Sequence, residues 1–125
     1  MKYRILIVDD SARVRRQLFE SYAALGHQPI AEASDGIEAI DQYLRFRPDL
    51  VSLDLVMPVL DGVGALQEIL KINPKARVML VSSSVDSEKG REAKSLGVRV
   101  FVQKPFNLKT LQEALLELER LEKVA

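Results

Sequence analysis

Four short apolar runs in this chain each end at a polar residue that phosphate chemistry can use. Ile5-Leu6-Ile7-Val8 ends at Asp9-Asp10, and Leu50-Val51-Ser52-Leu53 ends at Asp54. Val78-Met79-Leu80-Val81 ends at Ser82, and the run from Val98 to Gln103 ends at Lys104-Pro105. If these runs are parallel strands of one sheet, the polar groups share the carboxyl edge of that sheet, where open α/β sheets bind ligands. Three carboxylates, a hydroxyl and an ammonium then converge. That set describes a metal site with a carboxylate nucleophile and two groups able to hold a phosphoryl oxygen.

Each residue also has a plainer reading. Asp9 and Asp10 suit the positive end of a following helix. Asp54 can be a turn former, although the next helix begins only near Asp61. Lys104 can be a solvated surface lysine, and Ser82 the start of a Ser-Ser-Ser loop. The plain readings do not explain why all of these groups stand at strand ends. Convergence also has a cost: at ~4 Å and an effective dielectric near 20, each like-charge pair costs about 4 kcal/mol. Lys104 and a divalent ion together offset it. His27, the only histidine, follows a helix-ending glycine and reads as an exposed turn residue.

The elements that must position these groups alternate along the chain. Strands are expected at about 4–8, 28–33, 49–53, 77–81 and 98–103. Pro29 lacks an N–H donor and places the second strand at a sheet edge. The third is apolar on both faces, as suits a central strand covered by helices. Ser11, Asp35, Asp61 and Asn107 are helix caps, and Gly26 and Gly97 are helix stops. Helical spacing marks Val14, Leu18, Tyr22 and Leu25 as inward in the first helix, and Ile37, Ile40, Tyr43 and Leu44 in the second. Val63, Leu66, Ile69 and Leu70 do the same in the third, and Leu108, Leu111, Leu115 and Leu118 in the last. The fourth helix, about 87–96, has only Ala93 and Leu96 as clear core residues. Five strands and five helices predict an α/β fold, (βα)5, with a doubly wound parallel sheet.

With 125 residues, the chain is expected to form one domain over 1–125. Lys+Arg and Asp+Glu stand at 18 each, so the basic excess of a nucleic-acid binder is missing. No apolar run approaches a membrane span or a secretory signal core, and cysteine is absent. These features suit a cytoplasmic protein with no direct nucleic-acid or membrane partner. No further module is expected between Leu121 and the end of the chain, which reads equally as a stand-alone protein or as a domain excised from a longer one.

Val8-Asp9-Asp10-Ser11, the run from Asp54 to Gly62, Val81-Ser82-Ser83 and Lys104-Pro105-Phe106 together resemble the signature of response-regulator receiver domains of the CheY type. The resemblance extends over about residues 4–121. The flavodoxin-like strand order 2-1-3-4-5 comes with it rather than from the spacing. It implies that Asp54 is the phosphoacceptor, and that Asp9, Asp10, Asp54 and the Val56 carbonyl bind Mg2+. It implies that Ser82 and Lys104 contact the phosphoryl group, and that Phe101 holds the switch aromatic position without a hydroxyl. The partners it implies are a histidine kinase or phosphotransfer protein and a downstream target protein, with the receiver a monomer or weak dimer. The fourth helix, fifth strand and fifth helix would form the responsive surface. One hydrogen bond to a charged acceptor is worth roughly 1.5–3 kcal/mol. Reversing a 1:99 equilibrium takes ~5.5 kcal/mol, so Ser82 would share the switching work with Lys104 and Phe101. Val56 and Ser84 occupy positions where family members often tune phosphoryl lifetime.

Three other readings compete. An aspartate-nucleophile phosphohydrolase would want a second acid where Val56 stands. A flavin-mononucleotide binder would not place acidic Asp9-Asp10 after its first strand. A degenerate receiver would bind partners without phosphorylation.

Overall fold

A computed structural model describes residues 1–124 and contains every expected strand and helix. In chain order these are β1 (Arg4–Val8), α1 (Ala12–Ala24), β2 (Gln28–Ala33), α2 (Gly36–Phe46) and β3 (Leu50–Leu53). They continue with α3 (Gly62–Ile72), β4 (Val78–Ser82), α4 (Glu88–Ser95), β5 (Val100–Gln103) and α5 (Leu108–Lys123). The strands form one parallel sheet in the order β2-β1-β3-β4-β5. β2 is an edge strand, as Pro29 requires. Opposite Ile5 and Leu6 its register steps from Pro29 to Ala31, so Ile30 is the extra residue of a bulge.

Side chains alternate between two cores because a strand has a period of two. Ile5 and Ile7 face Leu18 and Tyr22 of α1 and Leu111, Leu115 and Leu118 of α5. Leu6 and Val8 face Ala39 and Tyr43 of α2, then Val63, Leu66 and Ile69 of α3. Ser52 is the polar exception in β3. It pairs with the buried Tyr22 hydroxyl at 2.7 Å, so neither group is left unsatisfied.

The caps form where the sequence placed them. Ser11, Asp35, Asp61 and Asn107 each accept a backbone N–H from the third residue onward, and Ser87, a cap not foreseen from the sequence, does the same. Thr110 returns the bond to Asn107, completing a capping box. Gly26 and Gly97 end α1 and α4 with φ of +90° and +108°.

Three sequence expectations need correction. Ile37 and Leu44 lie about half exposed, while Ala39 and Tyr43 are buried. The rotation of α2 follows from a close backbone approach: Gly36 N–H donates to the Leu60 carbonyl at 2.9 Å, and a Cβ on Gly36 would lie 2.2 Å from that oxygen. Leu108 is also about half exposed, beside Gln17, Ser21 and Ala24 of α1 along a shallow cleft. His27 is half-buried rather than exposed. Its Nδ1 accepts the Tyr3 N–H at 3.0 Å, its ring stacks on Tyr3, and burial lowers its pKa.

The loop between β3 and α3 contains a strained residue. Val59 has φ of 68°, a left-handed conformation that a β-branched residue rarely adopts, and its side chain is 80% exposed, so packing offsets little of the strain. Val59→Gly is expected to stabilise the protein by about 0.5–1 kcal/mol, the strain relieved less the entropy glycine adds to the unfolded chain. Thermal unfolding checks this: a midpoint unchanged or lower than that of the wild type would count against stored strain.

Candidate functional site

The sheet positions the predicted residues through its last rungs. Asp9 N–H donates to Ala33 O, Asp54 N–H to Val8 O and Lys104 N–H to Ser82 O, each at 3.0 Å. Each residue is thus the first beyond its strand, with its backbone still held in the ladder. Lys104–Pro105 is a cis bond.

Side chains complete the cluster. Lys104 Nζ donates to Asp9 Oδ2 at 2.6 Å and to Asp54 Oδ2 at 3.1 Å. The other oxygens are also engaged: Asp9 Oδ1 accepts the Ser11 N–H at 2.9 Å, and Asp54 Oδ1 accepts the Leu55 N–H at 2.7 Å. Asp9 and Asp54 are buried and Asp10 is exposed. One carboxylate oxygen from each of the three lies within 4.8 Å of the others. Burial raises the Asp9 pKa, against the lowering effect of Lys104 and Ser11. Burial acts to lower the Lys104 pKa, but the hydrogen bond to Asp9 and the charges of Asp54 and Asp9 outweigh it, so the net shift is upward.

Three carboxylates against one ammonium leave two negative charges in a partly desolvated cluster. The donors are all hard oxygens. That combination fits a divalent cation of the Mg2+ kind.

Ser82 is fully buried at the end of β4. Its Oγ accepts the Ser84 N–H at 3.1 Å, and among the described residues no hydrogen bond joins it to Asp54. Phe101 is half-buried against the core on the α2–α4 face, with Lys94 Nζ 4.9 Å from its ring centroid. Val56, two residues past Asp54, is 61% exposed.

Two contacts were not foreseen from the sequence. Arg15 Nη1 donates to the Asp9 carbonyl at 2.7 Å while its Nε pairs with Glu32 at 3.0 Å. Gln103 Nε2 donates to the carbonyls of Ser83 and Lys104. Both side chains reach backbone oxygens, which residue type and spacing do not reveal.

A family model described as the response regulator receiver domain matches residues 5–116. The chain belongs to that family. Receiver domains of the CheY type are phosphoacceptor switch domains of two-component signalling. The chemotaxis protein CheY of Thermotoga maritima is 36% identical over 115 residues, which are 92% of this receiver and 96% of that protein. A protein-glutamate methylesterase/protein-glutamine glutaminase of Rhodospirillum rubrum is 38% identical over 122 residues, 97% of this receiver but 33% of that longer chain. Among solved structures, a chain of the CheX–CheY–BeF3–Mg2+ complex of Borrelia burgdorferi superposes with a TM-score of 0.88 at 29% identity, covering 93% of this receiver and 88% of that chain. Among the described residues no helix is long and apolar enough to cross a membrane.

Proposed function

We propose that Asp54 is the phosphoacceptor of a Mg2+-dependent signalling switch, charged by a histidine kinase or a phosphotransfer protein. The observation that carries the reading is the sharing of Lys104 between the buried carboxylates of Asp9 and Asp54. Asp9, Asp10, Asp54 and the carbonyl of Val56 are the groups to hold Mg2+. When bound, the ion neutralises charge on the phosphoryl oxygens and on the three aspartates. Asp54 attacks the phosphorus of a phosphohistidine in line. An O–P bond forms, the N–P bond breaks, and the imidazole leaves with the bonding electrons. Leu55 N–H orients the attacking carboxylate and Lys104 neutralises charge as it develops, so catalysis is mainly positioning and electrostatics.

The phosphoryl group then draws on Ser82 and Lys104. Ser82 must redirect its hydroxyl from the Ser84 region, and Phe101 repacks on the α4–β5–α5 surface that a downstream target protein reads. The small core footprint of α4, Gly90 and Ala93, suits a movable element. The receiver, taken as a single domain over 1–125, works in the cytoplasm as a monomer or weak dimer. It needs no direct nucleic-acid contact. A phosphorylation-independent interaction module would not require Asp9, Asp10, Asp54, Ser82 and Lys104 together at one sheet edge.

Intact mass after incubation with acetyl phosphate, with and without Mg2+, tests this directly. A phosphoryl adduct that needs Mg2+ and is absent from Asp54→Ala is the expected result. No adduct in the wild type, or an equal adduct in the variant, would remove Asp54 from the role. The exposed valine at position 56 has no polar atom with which to orient a hydrolytic water. The wild type is therefore expected to lose its phosphoryl group more slowly than Val56→Asn, and equal or faster loss would contradict that.

A further inference from the structure

We infer that Gln103 is a positioning residue for the phosphoryl site, setting the spacing between the segments that carry Ser82 and Lys104. The inference rests on the reading of Asp54 as the phosphoacceptor. Gln103 is the last residue of β5 and the register partner of Ser82, the last residue of β4. Just beyond this pair the backbone ladder makes its final bond, Lys104 N–H to Ser82 O. The Gln103 side chain then adds a rung that the backbone does not provide. Its Nε2 donates to the Ser83 carbonyl at 3.0 Å and to the Lys104 carbonyl at 3.2 Å. An amide nitrogen has two N–H groups, and both are used. One group therefore holds the residue after Ser82 and the backbone of Lys104 at once.

Apart from the backbone bond from Lys104 N–H to Ser82 O, the two strand ends have no other such tie among the described residues. Ser82 Oγ bonds within its own segment, to Ser84 N–H, and Lys104 Nζ bonds across to Asp9 and Asp54. Without Gln103 the Ser83 and Lys104 carbonyls turn to water, and the single backbone bond from Lys104 N–H to Ser82 O is left to couple the two segments, which move more freely. Bringing both ligands onto one phosphoryl group then costs ordering entropy that the bridged form has already lost. Gln103 does not touch the reacting atoms and acts only through its neighbours. It is exposed on an edge strand, so replacing it leaves the core intact.

The test measures the affinity of the wild type, Gln103→Leu and Gln103→Glu for BeF3 in the presence of Mg2+. It then repeats the Leu substitution in a Ser82→Ala background. Both single variants lack the donor, so each is expected to bind the phosphoryl mimic about fivefold more weakly, the scale of one ordinary net hydrogen bond. The melting temperature without ligand is expected to change little. In the Ser82→Ala background the Gln103→Leu effect is expected to shrink, because one of the two groups being spaced is gone. Unchanged or tighter binding, or an equal effect with and without the Ser82 hydroxyl, would overturn the positioning role. Acetyl phosphate labelling of the wild type separates the two levels. No Mg2+-dependent adduct removes the phosphoacceptor reading and this inference with it. An adduct together with wild-type affinity in the Gln103 variants removes the inference alone.

Discussion

Lys104→Met is expected to destabilise the metal-free protein by about 2–3 kcal/mol, just below the usual cost of orphaning a fully buried charge. Methionine fills nearly the same volume but leaves Asp9 and Asp54 facing each other without their cation. The estimate sits low because the Lys104 side chain is 19% exposed, so water can replace part of the ammonium's solvation of the carboxylates. For a chain of this length the loss corresponds to a drop in melting temperature of roughly 10 °C. Mg2+ is expected to restore much of the deficit, since an ion that binds only the folded state stabilises by mass action. Its effect should be larger in the variant than in the wild type, because Lys104 occupies the same oxygens the ion would use. Thermal melts of both proteins across a Mg2+ titration check this. A small deficit, or one that Mg2+ leaves untouched, would mean the ammonium does not balance this cluster.

The pH dependence of that deficit has a definite sign. Burial already raises the Asp9 pKa above its unfolded value, and the Lys104 hydrogen bond and charge oppose the rise. Removing Lys104 raises it further. A group with a raised folded pKa contributes stability below its unfolded pKa and loses it as pH rises through the folded value. The Lys104→Met deficit is therefore largest near neutrality and shrinks as pH falls toward the carboxylate range.

The strand ends, the caps and the five groups of the cluster were legible in the sequence because each follows from a local rule. Apolar runs bounded by polar residues mark buried parallel strands, and Ser, Asp or Asn before a helical period marks a cap. The misread residues depend on tertiary contact. Ile37 and Leu44 have helical spacing, yet the approach of Gly36 to Leu60 turns α2 so that Ala39 faces the core instead. His27 looked exposed because its partner, the Tyr3 backbone, is far away in sequence. Arg15 and Gln103 act on carbonyl oxygens, which every residue carries, so no side-chain pattern points to them. The strand order came from family resemblance, since right-handed crossovers alone leave several arrangements.

The contact that sets the position of Asp54 was half visible, as a glycine after a capping aspartate. Gly62 opens α3, and its N–H donates to the Leu55 carbonyl at 2.9 Å. A Cβ there would lie 2.2 Å from the Asp54 carbonyl oxygen and 2.7 Å from Leu55 Cα. Both atoms are backbone, so the only relief is to push the start of α3 away from the end of β3. Gly62→Ala is expected to cost about 3 kcal/mol, the upper end of ordinary overpacking. Because the nearest of these atoms is the carbonyl oxygen of Asp54 itself, phosphorylation by acetyl phosphate should also slow by roughly tenfold or more. Gly64→Ala is the informative comparison. Its Cβ would meet Leu60 Cδ1 at 2.4 Å, the far end of a flexible side chain that can turn aside. A mild loss of stability with near-normal phosphorylation is expected there. Should the two variants melt and phosphorylate alike, the glycine at 62 would be serving the helix start alone, and the position of Asp54 would have to come from the β1 and β4 ladders on either side of β3.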